Sequence, residues 1–334
     1  MATYIDIHGN NIPMRSSDPS NPIVGEMWYN TTTNVLKGQI FNTSGSFATS
    51  GNLNVGRYAL GNFGTPAAGN AIDGNTHPVG APNTASNSHE SYDGSTWTSL
   101  TNTPFAVTFF ASSGTSTAGI GGGGGQPAGS YQSACYTWGG SSWTSITALP
   151  SPGKEGGNMF GTQTACVFYG GGTSGPATPA YPNAAFEGDG SSWTSGPNLP
   201  GSNYYGSVCT GTQTAAISIG GASPPSNKVE ILSGSTWTSA TAVPITAPNG
   251  TGNGVGTSTA AIYGQGTSVA SWDGSSWTAQ PSFPVGKPSR AATGGTQAGF
   301  FAAGGTPGGT PTPSARQTVE FTGPGAATVT ITSS

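Results

Sequence analysis

Short apolar runs framed by glycine recur along this chain. The six copies read GTPAAGNAIDG from Gly64, GTSTAGIGGGG from Gly114, GTQTACVFYGG from Gly161, GTQTAAISIGG from Gly211, GTSTAAIYGQG from Gly256 and GTQAGFFAAGG from Gly295. A short run of small, aromatic and β-branched residues between glycines is typical of a buried strand. Each copy therefore predicts one buried strand of a repeated unit.

A tight turn followed by a tryptophan recurs five times between these runs. The copies read YDGSTWTS at Tyr92–Ser99, WGGSSWTS at Trp138–Ser145, GDGSSWTS at Gly188–Ser195, LSGSTWTS at Leu232–Ser239 and WDGSSWTA at Trp272–Ala279. Their tryptophans (Trp97, Trp143, Trp193, Trp237 and Trp277) are spaced by 46, 50, 44 and 40 residues. Asp-Gly or Ser-Gly between two short strands predicts a hairpin, because Gly adopts the positive φ of a tight turn. We expect the tryptophans to pack between neighbouring sheets.

A looser stretch such as GRYALGNF (56–63) precedes each glycine-framed run, and a short strand such as KVEIL (228–232) comes between the run and the turn before the tryptophan. Each unit thus contains four strands, called a to d in chain order, in which the glycine-framed run is b and the tryptophan strand is d. Four antiparallel strands repeated six times predict an all-β fold, a six-bladed β-propeller over residues 51–334. Residues 1–50 are expected to form an attachment segment with a β-hairpin. The abundance of Gly, Ser, Thr, Asn and Pro excludes a helical protein.

Two candidate c–d hairpins compete for the end of the ring. Gln317–Thr332 supplies one without the tryptophan, and Val35–Ser50 supplies another with Phe47 near the tryptophan position. One of them is surplus. We expect 317–332 to complete the sixth blade and the N-terminal hairpin to lie outside the ring. The alternative is that the N-terminal hairpin contributes a strand to the last blade and closes the ring.

Charge is scarce, since only 6% of residues are charged and the net charge is −4. No basic stripe is present to neutralise phosphates, which argues against nucleic-acid binding. No apolar run approaches the roughly 18 residues of a membrane helix, so no membrane insertion is expected. The N-terminus lacks the pattern of a signal peptide, and three cysteines cannot build a disulfide framework.

The GG-ending strand, the segment before each turn and the spaced tryptophan resemble kelch-type propellers over residues 51–322. This resemblance implies the fold only. Kelch propellers include copper radical oxidases, but the histidines His8, His77 and His89 have no metal-ligand spacing. We expect no metal and no cofactor.

The N-terminal stretch SSDPSNPIVGEMWYNTTTNVLKGQIFN (16–42) resembles a short module of tail-fibre and other virion proteins of tailed bacteriophages. The matching positions are Asp18, Pro19, Pro22, Gly25, Trp28, Tyr29, Asn30, Leu36 and Lys37. Joined to a kelch-like array rich in Gly, Ser and Thr, the module is similar to structural proteins of phages that infect marine bacteria. The resemblance implies attachment to other virion proteins through residues 1–50. Because this Pro-rich segment has too few residues for a core of its own, we expect Trp28 and Tyr29 to be buried against a neighbouring chain. We also expect a homo-oligomer within the particle.

The face of the ring that carries the variable loops is the candidate binding face. The a–b and c–d turns are nearly constant and share one face, whereas the b–c and d–a loops vary and share the other, where function usually lies. Alignment on the b-strand glycine places one set of residues near the central opening, and two tyrosines come from b–c loops. The predicted ligand-contacting residues are Arg57, Lys154, Tyr204, Asn249, Arg290, Tyr131 and Tyr181.

The sequence favours a non-enzymatic virion protein, made in the host cytoplasm, released by lysis and displayed on the particle as a fibre, tail or capsid-surface component. Host-surface carbohydrate is the candidate ligand. One alternative is a sialidase-like enzyme, which would need an arginine cluster drawn from Arg57, Arg290 and Arg316, with Tyr58 or Tyr204 as nucleophile. Another is a structural decoration without a ligand. Carboxylates around the central mouth would favour the enzyme, and aromatic and amide groups would favour binding.

Overall fold

The protein folds into β-strands joined by tight turns and loops. The computed structural model describes residues 12–42, 45–76, 84–126, 130–150, 153–173, 183–201, 206–221, 227–245, 252–284, 292–305, 316–323 and 325–331. The chain divides into two compact units. Residues 1–46 and 323–334 form the terminal unit, and residues 47–322 form the propeller unit.

The strands follow the chain from the N-terminus to the C-terminus. The first are β1 (Met14–Arg15), β2 (Met27–Asn30), β3 (Val35–Asn42), β4 (Ser46–Ser50), β5 (Arg57–Tyr58), β6 (Gly61–Thr65), β7 (Ala68–Ile72), β8 (Asn75–Thr76), β9 (Thr84–Ala85), β10 (His89–Tyr92) and β11 (Trp97–Ser99). The next are β12 (Ala111–Thr115), β13 (Ala118–Gly122), β14 (Cys135–Trp138), β15 (Trp143–Ile146), β16 (Lys154–Thr162), β17 (Ala165–Thr173), β18 (Ala185–Gly188) and β19 (Trp193–Ser195). The last are β20 (Val208–Thr212), β21 (Ala215–Ile219), β22 (Val229–Ser233), β23 (Thr236–Ala240), β24 (Asn253–Thr257), β25 (Ala260–Gln265), β26 (Ser268–Trp272), β27 (Trp277–Gln280), β28 (Ala292–Thr296), β29 (Gly299–Ala303), β30 (Thr318–Thr322) and β31 (Gly325–Ile331).

Six four-stranded sheets form the blades of the propeller unit. From the inner to the outer strand they are β6-β7-β10-β11, β12-β13-β14-β15, β16-β17-β18-β19, β20-β21-β22-β23, β24-β25-β26-β27 and β28-β29-β30-β4. The inner strands β6, β12, β16, β20, β24 and β28 contact one another in succession, and β28 contacts β6. The prediction of a six-bladed propeller is confirmed.

The repeated Gly-Thr of the inner strands has a backbone reason. In the third blade, Gly161 has φ of 102°. A Cβ at this position would lie 2.3 Å from the carbonyl oxygen of Ala165 on the paired strand. Both the left-handed backbone and the close approach therefore require glycine, which explains why each a–b hairpin begins with it.

The ring closes in a way that differs from the sequence prediction. Strand β4 is the outer strand of the sixth blade, next to β30, and Phe47 packs there against Phe283 and Phe321 at ring-centroid distances of 4.9 and 5.0 Å. Strand β31 instead pairs with β3 over seven residues. The two expected hairpins have exchanged their second strands, so the prediction that the N-terminal hairpin lies wholly outside the ring is wrong.

A second contact joins the start of the ring to its end. The Leu53 N–H donates to the Arg316 carbonyl oxygen at 2.8 Å. In return, Arg316 Nε donates to the Leu53 carbonyl oxygen at 2.7 Å. Leu53 and Arg316 are far apart in sequence, so these two hydrogen bonds fix the segment that enters the first blade to the sixth blade.

The repeat tryptophans pack less uniformly than the sequence predicts. Trp97 and Trp237 are buried, but Trp143, Trp193 and Trp277 are partly exposed. The indole N–H groups of three repeat tryptophans donate to carbonyl oxygens of the preceding blade and so connect adjacent blades. The pairs are Trp193 to Thr147 at 3.0 Å, Trp237 to Pro197 at 3.1 Å and Trp277 to Thr241 at 2.9 Å.

These differences in burial predict unequal costs of truncation. Trp237→Ala should lower the free energy of unfolding by about 3–5 kcal/mol, as for other buried aromatic side chains. Trp193→Ala should cost less, because part of that indole already contacts water. Urea unfolding of both variants measures the difference, and equal losses would contradict this account.

The exchanged strand predicts a dependence of the ring on Phe47. Phe47→Ala should lower the melting temperature, because it removes an aromatic ring from the cluster that attaches β4 to the sixth blade. Thr49→Ala, at an exposed position of the same strand, is the matched control and should melt like the wild type. If both variants melt like the wild type, β4 does not close the ring.

Candidate functional site

The inner strands surround a central channel. One pocket is lined in part by Asn62, Ser112, Asn158, Cys209 and Asn253. A second pocket shares several of these residues and extends past the glycines of the a–b hairpins. Among the described lining residues of either pocket there is no carboxylate, and amide, hydroxyl, thiol, aromatic and other apolar groups supply the surface.

Several polar groups of the inner strands connect adjacent blades. Ser112 Oγ donates to the Asn62 carbonyl oxygen at 3.0 Å and accepts from its N–H at 2.7 Å. Asn158 Nδ2 donates to Ser207 Oγ at 3.0 Å, so a channel-lining amide also links two blades. The lining is consequently rigid, and its polar atoms already have fixed orientations.

The structure places Arg57 in the interior, not at the rim of the channel. Its side chain is fully buried, and Nη2 forms an ion pair with Glu90 Oε1 at 2.8 Å. Nη1 donates to the carbonyl oxygens of Asp73 and Ser88, both at 2.7 Å. Arg57 thus fixes the entry into the first blade and is not available to a ligand, which corrects the role expected from its spacing.

A second buried carboxylate lies close to this ion pair. Asp73 is fully buried with φ of 55°, and its Oδ1 accepts from the Thr103 hydroxyl. Within the described part of the chain, Oδ2 has no hydrogen-bond partner. Burial raises the pKa of Asp73 well above its usual value, although Thr103 and the charge of Arg57 oppose the shift.

Lys154 and the loop of Tyr131 come together between the second and third blades. The Lys154 N–H donates to the Gln132 carbonyl oxygen at 2.9 Å, and the Lys154 carbonyl oxygen accepts from Gly124 N at 2.7 Å. The Lys154 side chain is buried, which lowers the pKa of its ammonium, and Tyr131 is partly exposed. Tyr204, Asn249, Arg290 and Tyr181 lie outside the described residues, so their contact with a ligand stays a prediction.

The opposite face carries a side-chain network that the sequence analysis missed. Gln163 Nε2 donates to the carbonyl oxygens of Gly119 and Trp138 in the preceding blade, at 2.8 and 2.9 Å. The Trp138 indole in turn donates to the Ser116 carbonyl oxygen at 3.1 Å.

The same arrangement recurs between the fifth and sixth blades. Gln297 donates to Ala261 and Trp272, and Trp272 donates to Ser258. Its sequence signal is a GTST turn in one blade followed by a GTQ turn in the next. The constant turns are therefore occupied in joining blades.

Asp18 is the common acceptor of a hydrogen-bonded network in the terminal unit. Its Oδ1 accepts from Trp28 Nε1 at 3.0 Å and from Asn30 Nδ2 at 2.8 Å, and its Oδ2 forms an ion pair with Lys37 Nζ at 2.6 Å. The hydrogen bonds from Lys37, Trp28 and Asn30 lower the pKa of Asp18 to about 2. Trp28 is fully buried inside this network, so it is not available to a neighbouring chain as the sequence suggested. Tyr29 is partly exposed, and its contact with a neighbour stays a prediction.

Exposed apolar side chains concentrate on the terminal unit. Seven large hydrophobic side chains are exposed in the described part of the chain, and only Val55 belongs to the propeller unit. The other six are Ile12, Met14, Ile23, Val24, Ile40 and Ile331. Isolated apolar residues on a surface are ordinary, whereas a concentration of them marks an interaction surface.

The described residues contain neither a metal-binding cluster nor a membrane-spanning helix. No group of three or more His, Cys, Asp or Glu side chains is arranged to hold a metal ion there. In the same residues, no helix has the length and apolar character needed to cross a membrane.

The fold defines a class of protein, the six-bladed β-propellers. No protein-family model matches the sequence, and no curated protein matches it. Among solved structures, the chain is similar to the kelch-repeat β-propeller protein YjhT, with a TM-score of 0.63 and 12% sequence identity over 84% of this chain and 99% of that one. At this identity, the similarity shows the fold alone.

The buried carboxylate predicts a specific pH dependence. Because the pKa of Asp73 is raised in the folded state, the contribution of Asp73 to the free energy of unfolding is most favourable below the ordinary Asp pKa of about 3.9. This contribution is lost as pH rises. Asp73→Asn removes this titration, and Asn accepts the left-handed backbone. The variant should melt above the wild type at pH 7, with a difference that shrinks towards pH 4.

Asp93 provides a control of opposite sign. Its Oδ1 accepts from the backbone N–H groups of Ser95 and Thr96 at 2.8 and 2.7 Å, and these bonds lower its pKa. The stability it contributes is present above the ordinary Asp pKa and is lost as pH falls. Asp93→Asn should therefore melt below the wild type at pH 7. Parallel pH profiles for the two variants would contradict the assignment.

Proposed function

We propose that this protein is a non-enzymatic structural component of a tailed-phage particle, in which the terminal unit attaches to the particle and the propeller unit is displayed. The proposal includes assembly in the host cytoplasm and release by lysis. One observation carries it. The residues shared with the virion module form a hydrogen-bonded network within a compact unit of their own.

The network accounts for the module residues in physical terms. Asp18 holds Trp28, Asn30 and Lys37 together. Asn30 Oδ1 accepts from the N–H groups of Thr32 and Thr33, both at 3.0 Å, and so shapes the turn that follows the Trp-Tyr-Asn strand. The pattern that resembles the virion module is thus the pattern needed to build this unit, which supports a transferable attachment role.

The propeller fits a display role better than a catalytic one. The described channel lining offers amides and hydroxyls without a carboxylate, whereas a sialidase-like site needs a general acid beside its arginine cluster and tyrosine nucleophile. Arg57, one candidate for a sialidase-like arginine cluster, is bound to Glu90 in the interior. Amide and hydroxyl groups on a rigid ring support recognition of host-surface carbohydrate, and a decoration without a ligand is the alternative.

The attachment role can be tested on particles. Trp28→Ala should remove the indole around which the terminal unit is built, so the protein should be lost or strongly reduced in purified phage. Thr98→Ala, at an exposed propeller position, is the control and should be incorporated normally. Mass spectrometry of the particles gives the copy number. The isolated Trp28→Ala chain should retain the melting transition of the propeller, and normal incorporation of that variant would refute the role.

A further inference from the structure

The small sheet of the terminal unit has two unlike faces. Its strand order is β1-β2-β3-β31, and residues paired across adjacent strands point to the same face. Met14 is paired with Tyr29, Tyr29 with Leu36 and Leu36 with Ile331. Ile40 lies four residues beyond Leu36 on the same strand and so shares this face, which we call the apolar face.

The apolar face is open to solvent, whereas the opposite face is covered. Met14, Ile40 and Ile331 are exposed to 72%, 45% and 40%. On the other side of the sheet, Trp28 and Asn30 are buried beneath Asp18. A sheet normally buries one face and solvates the other with polar residues. Here the solvated face is the apolar one, and water contact with it is unfavourable.

Among the described residues, no charge belongs to the apolar face. The charged residues between 12 and 42 are Arg15, Asp18, Glu26 and Lys37, and they pair with one another, Arg15 with Glu26 at 3.4 Å and Lys37 with Asp18 at 2.6 Å. Register places Arg15 opposite Asn30 and Lys37 opposite Trp28, hence on the covered side. The complement of this face is therefore another uncharged apolar surface, and an ionic partner is disfavoured.

The edge of the same sheet also has no paired strand among the described residues. Strand β31 is last in the strand order, is seven residues long and contains neither charge nor proline. Natural proteins usually block long edge strands with charged residues, proline or a bulge, because an open edge pairs with other strands. An uncharged edge beside an uncharged apolar face makes the surface complementary to itself.

We propose that copies of this chain associate through the terminal unit, apolar face against apolar face. Two sheets packed in this way lie about 10 Å apart, and a two-fold axis between them makes the contact isologous. The inference deepens the proposed function, because such a contact would bring propellers together at the point of attachment.

The size of the face sets the strength of the contact. A sheet of four short strands presents roughly 400 Å² on one side, about half of the roughly 800 Å² that each partner buries in a standard interface. The association should therefore be reversible and depend on concentration in solution. It would become much stronger where attachment holds copies side by side.

Sedimentation velocity of the purified full-length chain tests the proposal over a wide concentration range. The wild type should shift from monomer to dimer as concentration rises. Ile40→Lys and Met14→Lys, on two different strands, should each remain monomeric throughout. Val55→Lys changes an exposed apolar residue of the propeller unit in the same way and should associate like the wild type.

A wild type that stays monomeric at every concentration would overturn the proposal. So would association that Ile40→Lys and Met14→Lys leave unchanged, or a loss of association in Val55→Lys equal to theirs. If the monomeric chain instead binds another virion protein through this face, the face takes an unlike partner and the proposal is wrong. The outcome is independent of the particle assay. If self-association fails while incorporation into particles still depends on Trp28, only the proposed self-association is refuted. If the chain self-associates but Trp28→Ala is incorporated normally, only the attachment role is refuted.

Discussion

Contact between neighbouring blades is the constraint on which this fold depends. Each blade is a small, glycine-rich sheet, and an isolated sheet of this kind buries too little apolar surface to be stable alone. Stability therefore comes from the joints, where inner strands contact around the ring and side chains such as Gln163 and Trp237 donate to carbonyl oxygens of the preceding blade. The constant turns are constant because every joint has the same geometry.

The same dependence explains why the fold was predictable and its closure was not. The number of blades follows from a repeat that each joint must satisfy, so the count of Gly-Thr strands gives the correct number. Closure depends on which strand meets β30, and the two candidate hairpins have similar local patterns. Phe47 carried the signal, because an aromatic residue at the tryptophan position fits the sixth blade. The pairing of β3 with β31 decides which hairpin strand joins the ring, because it leaves β4 as the strand that meets β30.

Prediction of site residues failed where a partner lies far away in sequence. The spacing of Arg57 placed it before the first inner strand, at the rim of the channel, but Glu90, 33 residues later, takes the guanidinium into the interior. Trp28 belongs to the module as expected, yet Asp18 makes it a buried structural residue. Spacing locates a residue on a strand. It does not show which side chains from other strands will satisfy its polar atoms.

The two units treat exposed surface in opposite ways. Under the proposed function, the propeller should meet solvent and host surfaces without adhering to them indiscriminately. Its described surface offers hydroxyls and amides, with Val55 as its exposed large apolar side chain. With so few charges, any recognition by this surface depends on hydrogen bonds and shape more than on long-range attraction, so it should be little affected by salt. In the terminal unit, by contrast, the described charged side chains pair with one another and apolar side chains are exposed to solvent. This is the surface expected where another protein chain binds.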